Sequence, residues 1–275
     1  MAIEYGESDL RVRYEKYRRI LDNLTIMDDI FMRNVLNQPA CTEYLLQIIM
    51  QNEELKLLDC MVQKDFKNLQ GRSVYMDCVA QDTEKCRYDV EVQQDNGGAS
   101  FKRARYHSSL MDMHSLEPGQ NFDGLPEHFV IFITREDVLG SGLQIYHADR
   151  ILRETGEDFS DDSHIIYVNA AIQDDTRLGR LMHDLFCKHA DDMYSEVLAK
   201  RVKELKETER GVEHMCRAMD ELYHEGKEEG RNEGKREMAL SMAEMGISAE
   251  KIAQAAKESV SLVRQWISEG AVPVK

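Results

Sequence analysis

Asp89, Glu91 and Gln93 stand two residues apart in the stretch YDVEVQQD, Tyr88 to Asp95. In an extended chain they project from one side, and Tyr88, Val90 and Val92 from the other. Two carboxylates and an amide on one face of a strand serve either a solvated sheet edge or a cation. A second strand-like run, SVYMDCVAQ, precedes them, and the polar DTEK between the two runs is a hairpin signal. With a loop from Asp82 to Lys85, Gln81 pairs with Cys86 and Asp77 falls within one residue of opposing Glu91. A one-residue bulge or a five-residue loop brings them into register. Opposed Cβ atoms on neighbouring strands lie about 4.5–5.5 Å apart, and carboxylates that close repel unless a cation sits between them. Oxygen ligands of this kind suit Mg²⁺ or Mn²⁺. Asp89 shares the Glu91 face and is a second candidate ligand. Lys102, Arg103 and Arg105 follow closely enough in the chain to meet a phosphate.

The elements that must position these groups follow from periodicity and turn signals. Helices are predicted over residues 10–36, over 42–50 with Thr42 as cap, and over about 98–115. HFVIFIT is a near-continuous apolar strand of the kind buried on both faces. LQIYHADR and HIIYVNA are two more strands, and from Thr176 onward the chain reads as helix. The order predicts an α/β fold, a mixed sheet flanked by helices, with a C-terminal helical extension. Tyr106 is expected to pack in the core and Asp29 to lie at the surface. His183 and His189 are six residues apart, do not share a helical face, and carry no expected metal role.

The stretch SVYMDCVAQDTEKCRYDVEVQQD resembles the D-(x)n-ExQ core of the PD-(D/E)xK nuclease superfamily, and more narrowly its recombination-promoting nuclease and transposase-like family of bacteria. LTIMDDIFMRNVL, FKRARYHSSLMD, RLMHDLFCKHADDMYSEVLAKRV and HEGKEEGRNEGKRE match in the same order, over roughly residues 20–240. The resemblance implies a restriction-endonuclease-like sheet and Mg²⁺- or Mn²⁺-dependent hydrolysis of a DNA phosphodiester. It implies Asp77 and Glu91 as metal ligands, with a further oxygen from the Val92 carbonyl and Asp28 as the early acidic residue. Gln93 then stands where the superfamily more often has lysine. A neutral amide can orient water but cannot offset phosphate charge, so Lys102 or Arg103 becomes the candidate for that task. The alternative is a nuclease-fold protein of weak or no activity that binds protein or DNA.

The wider composition bounds these readings. The 275 residues carry a net charge of −16; residues 201–275 hold 13 Lys/Arg and 15 Asp/Glu, which leaves −14 on the first 200. That argues against broad adhesion to nucleic acid but not against a local basic groove. No apolar run approaches the ~18 residues of a membrane span, and the acidic start lacks an apolar leader. The six cysteines form no CxxC pair and read as reduced thiols of a cytoplasmic protein. Phosphate-loop, zinc-protease and α/β-hydrolase motifs are missing. Three segments are expected: a nuclease-like domain over 1–200, a charged helix over 201–238 and a small helix-turn-helix-like tail over 239–275. In the tail Ser248 and Ser259 or Ser261 serve as caps, Ile252, Ala253, Leu262, Val263 and Trp266 face inward, and Arg264 and Gln265 outward. Gly226, Gly230 and Gly234 form a stripe flanked by acidic and basic rows, an arrangement that suits parallel pairing of two copies into a homodimer.

Overall fold

A computed structural model describes residues 7–67 and 73–270 of the protein. Three helices come first: α1 (Glu7–Leu21), α2 (Asp29–Leu36) and α3 (Pro39–Ile49). The single helix expected over 10–36 is broken, because Asp28 folds back on the chain. Its carboxylate accepts hydrogen bonds from the Thr25 amide at 2.7 Å and the Thr25 hydroxyl at 2.9 Å. The third helix starts earlier than expected. Pro39 occupies its first turn with Gln38 at the cap position, where the missing proline N–H costs nothing. Thr42 is therefore not a cap but a buried residue inside α3, its hydroxyl donating to the Leu36 carbonyl at 2.7 Å.

Six strands follow: β1 (Leu57–Lys67), β2 (Ser73–Asp82), β3 (Arg87–Gln93), β4 (His128–Thr134), β5 (Ile145–Ala148) and β6 (Ser163–Asn169). They form one mixed sheet in the order β1-β2-β3-β4-β6-β5. β1, β2 and β3 are antiparallel neighbours, β3, β4 and β6 run parallel, and β5 lies antiparallel to β6. The hairpin turns one residue later than the shorter reading requires, so Gln81 pairs with Arg87 and Cys78 with Val90. Asp82 causes this. Its carboxylate accepts from the amides of Glu84 and Cys86 at 2.9 Å each, and Lys85 takes a left-handed φ of 73°, giving a three-residue turn from Thr83 to Lys85.

A parallel step from β3 to β4 needs a crossover, and it carries α4 (Phe101–Met113), capped by Ser100, whose hydroxyl accepts from the Arg103 amide at 3.3 Å. α4 packs on β4 and β6, burying Ala104, Leu110 and Met111 against Val130, Phe132 and Tyr167, with Tyr106 partly buried beside them. α2 and α3 pack on β1 and β2. Covered on both faces, Val130 to Ile133 of β4 are fully buried, each contributing roughly 1.5–3 kcal/mol. The remaining helices are α5 (Arg177–Phe186), α6 (Glu196–Glu207), α7 (Glu209–Glu244), α8 (Ala249–Ala256) and α9 (Val260–Gly270).

The chain divides into two compact units, Met1–Cys216 and Arg217–Lys275. The division thus falls after Cys216 rather than at residue 200. In the second unit Ala239, Ile252, Ala253 and Val263 form a small core with Trp266 and Ile267 against it; Leu262 is partly buried. Ser259 caps α9, accepting from the Leu262 amide at 3.2 Å. Arg264 is exposed but pairs with Glu250 at 2.7 Å, Arg236 pairs with Glu269 at 3.1 Å, and Lys235 pairs with Glu258. A side chain built on Gly226, Gly230 or Gly234 of α7 meets nothing within 4 Å. Among the described residues no helix is long and apolar enough to cross a membrane.

Candidate metal centre

β3 is an interior strand with β2 on one side and β4 on the other, so its acidic face is not a solvated edge. Asp89 and Glu91 are fully buried there, in line with Val130 and Phe132 of β4. Two buried carboxylates on one strand face demand partners, because desolvation of a charge is costly.

α4 supplies some of them. Arg103 and His107 lie one helical turn apart and reach down to the sheet. The Arg103 guanidinium donates from Nη2 to Glu91 Oε2 at 3.0 Å, from Nη1 to the Gly98 carbonyl at 3.0 Å and from Nε to His107 Nε2 at 3.2 Å. With Nε2 accepting, His107 carries its proton on Nδ1, which lies 2.8 Å from Asp89 Oδ2 and 3.7 Å from Glu91 Oε1. The second oxygen of Asp89, Oδ1, is buried and has no hydrogen-bond partner.

Asp77 enters from β2. The β2–β3 register, taken one step past the Cys78–Val90 pair, sets it opposite Glu91. Its amide donates to Glu91 Oε1 at 2.9 Å, and its Oδ2 accepts from the Val92 amide at 3.3 Å. Gln93 donates from Nε2 to Glu91 Oε2 at 3.4 Å. Gly98 leaves room for that amide: a Cβ there would stand 2.0 Å from Gln93 Oε1.

Every acid in the group is pushed towards its protonated form. Burial, then the charges of Asp89 and Asp77, raises Glu91 to about 8. Burial, then the charge of Asp29, raises Asp77 to about 6. Asp89 is raised well above the carboxylate range by burial and then by Asp77. Burial lowers His107, keeping it neutral against the attraction of Glu91. Three acids and one guanidinium leave the site short of positive charge.

Asp89, Glu91 and His107 have ligand atoms within 4.8 Å of one another, a set that can hold a metal ion. The partnerless oxygen of Asp89 and the crowded acids fit such an ion, and the mixed oxygen and imidazole donors suit a borderline metal such as Mn²⁺ as well as Mg²⁺. Coordination through Nδ1 would move the imidazole proton to Nε2, where Arg103 Nε now donates, and the raised acids Glu91 and Asp77 would have to release their protons, so binding is coupled to pH.

The expected residues fall out unequally. Asp77, Glu91, Gln93 and Arg103 come together. Val92 contributes its amide, through Asp77. Lys102 is exposed on α4. Asp28 is committed elsewhere: besides Thr25, it accepts from Gln94 Nε2 at 2.8 Å. The early acid whose charge Asp77 feels is Asp29, which pairs with Arg33 and is half exposed. His107 and Gly98 were not anticipated. His107 was findable, since it follows Arg103 by four residues and so shares its helix face.

A second set, His183, Asp184 and Cys187, also meets the distance criterion. There both oxygens of Asp184 are already filled, by the amides of Tyr194 and Ser195 at 2.8 Å each. Compared with protein-family models, curated proteins and solved structures, the chain matches none. The functional reading therefore rests on the site itself.

Proposed function

We propose that the protein is a divalent-metal-dependent DNA endonuclease with a restriction-endonuclease-like core, tied to recombination or mobile elements. One observation carries the reading. Three crowded acids of a hairpin, one with a partnerless buried oxygen, lie beneath a helix that bears Lys102, Arg103 and Arg105. Asp77, Asp89, Glu91 and His107 would hold Mg²⁺ or Mn²⁺, with the Val92 carbonyl as a further oxygen. When bound, such an ion polarises a phosphate and lowers the pKa of an attacking water. Gln93 orients the water through its amide, held in place by the gap at Gly98. Arg103 and Lys102 offset phosphate charge in the place of the absent lysine. Asp28 has a positioning task, tying Gln94 at the end of β3 to the turn before α2.

A second reading has its own support. Arg103 already occupies Glu91 from within the protein, 3.0 Å from its Oε2, as it would in a nuclease-fold protein that binds a partner without cleaving DNA. Nicking of supercoiled plasmid with Mg²⁺ or Mn²⁺ separates the two. Wild type should nick, Asp77→Ala and Glu91→Ala should abolish nicking, and Gln93→Ala should lose most of it. Gln93→Lys should retain or raise activity. Equal nicking by wild type and Asp77→Ala would refute the site. Absence of nicking under either metal would favour the binding protein.

A further inference from the structure

Cys60 on β1 and Cys78 on β2 are diagonal neighbours on one sheet face, because Cys60 pairs with Ala80 and Val62 with Cys78. Their Sγ atoms lie 3.6 Å apart. The Thr42 hydroxyl stands 3.6 Å from the first and 3.8 Å from the second. Cys78 is fully buried, whereas Cys60 is half-buried, its Sγ 3.6 Å from the Leu36 carbonyl. We propose that Cys60 and Cys78 are a redox-sensitive pair that hydroperoxides convert to a disulfide.

The chemistry balances within the pair. The Cys60 thiolate attacks one oxygen of hydrogen peroxide, forming a sulfenic acid and releasing hydroxide. That hydroxide takes the proton of the Cys78 thiol. The Cys78 thiolate then attacks the sulfenyl sulfur, the S–S bond forms, and the departing hydroxide is protonated by solvent. Two thiols lose two electrons, and one peroxide becomes two waters.

The other thiols are poorer candidates. Burial pushes Cys41 and Cys187 up to about 11 and Cys86 up to about 12. Cys60 is instead held at about 7, first by the hydrogen bond from Cys78. Bond formation must bring the sulfurs from 3.6 Å to the ~2.05 Å of a disulfide. Diagonal partners stand about 7–8 Å apart, beyond the ~7 Å that a disulfide spans without backbone movement, so β1 has to shift against β2. β1 can yield, because it is an edge strand, paired among the described strands with β2 alone. Cys78 follows Asp77 directly, so the shift acts on the metal-binding hairpin; this consequence, unlike the disulfide, rests on the nuclease reading.

Peptide mapping tests the pair without reference to activity. The reduced full-length chain is treated with hydrogen peroxide, alkylated without reduction, digested and weighed. The expected product is a peptide pair joined through Cys60 and Cys78, lighter by two hydrogens, reversed by dithiothreitol and absent from Cys60→Ser. In Cys78→Ala, Cys60 should be trapped by dimedone as the sulfenic acid. Should that buried substitution fail to fold, the half-buried Cys60→Ser carries the test alone. No Cys60–Cys78 peptide in wild type, or a dominant link through another pair, would overturn the proposal. Plasmid nicking by the oxidised protein should fall several-fold and return on reduction; unchanged nicking by a fully cross-linked chain would overturn the coupling alone.

Discussion

Asp89 and Asp184 are both fully buried, and each lies beside a histidine and a third protonatable group. Their hydrogen bonds separate them. Asp184 accepts from two backbone amides, one with each oxygen, and so ties α5 to the start of α6, where Ser195 is the cap. Asp89 has one oxygen on His107 and nothing on the other. Residue type, burial and spacing do not distinguish a structural carboxylate from one that awaits a cation. Counting acceptors against donors does.

The largest effect expected from this contrast is on folding. Asp184→Ala leaves two buried amides without an acceptor, each costing about 1–3 kcal/mol, so urea unfolding should show a loss of about 4 kcal/mol. Asp89→Asn should cost less than about 1 kcal/mol in metal-free protein, because burial already holds this carboxyl towards its neutral form and the amide is a neutral group of nearly the same shape. Equal losses would erase the distinction between the two sites.

Metal should sharpen it. Mn²⁺ at a hundred times its dissociation constant should stabilise the chain by about 2.7 kcal/mol, read as a rise in Tm. The rise should vanish in Glu91→Gln and persist in His183→Ala. The reverse pattern would move the metal to the second set.

A pH series gives the next effect. Folded Glu91 keeps its proton up to about 8, against an ordinary value of 4.5. Between those values the folded chain binds more protons than the unfolded one, so stability falls as pH rises through the window and levels off above it. Asp77 adds to the fall between 3.8 and about 6. The slope is at most about 1.4 kcal/mol per pH unit for each group. Urea midpoints should show a shallower fall in Glu91→Gln than in wild type, and in wild type with saturating Mn²⁺. Parallel curves would mean that the acids are not held protonated.

The smallest change in stability is expected from Gly98→Ala. The atom it meets is the mobile end of Gln93, 2.0 Å away, so the amide can swing aside. Stability should change by less than about 1 kcal/mol, while nicking falls several-fold. Unaltered nicking would remove Gln93 from the mechanism.

Much of this was legible in the sequence, and the failures have physical causes. The period-two spacing of Asp89, Glu91 and Gln93 located the acidic face, and the alternative loop length gave the correct opposition of Asp77 and Glu91. HFVIFIT declared a buried strand because both its faces are covered. β1 was missed because its apolar residues do not alternate: the register shifts between Leu57 and Asp59, and Leu58 and Met61 are exposed on it. The break before α2 was missed because it depends on one side chain, Asp28, turning back to Thr25. That same commitment makes Asp29, not Asp28, the acid that Asp77 feels. Asp28 and Asp29 are adjacent and alike in the sequence, and tertiary structure alone assigns their tasks.

The turn from Thr83 to Lys85 sets a limit on how this chain can drift over generations. Thr83 and Glu84 are exposed, and exchanges there should pass almost unnoticed. Loss or gain of one residue is another matter, because side chains alternate strictly along a strand and a slip by one reverses every face. Asp77 would then point away from Glu91 although each acid survived in the text of the gene. Descendants of this protein should therefore be free in the spelling of the turn and bound in its length.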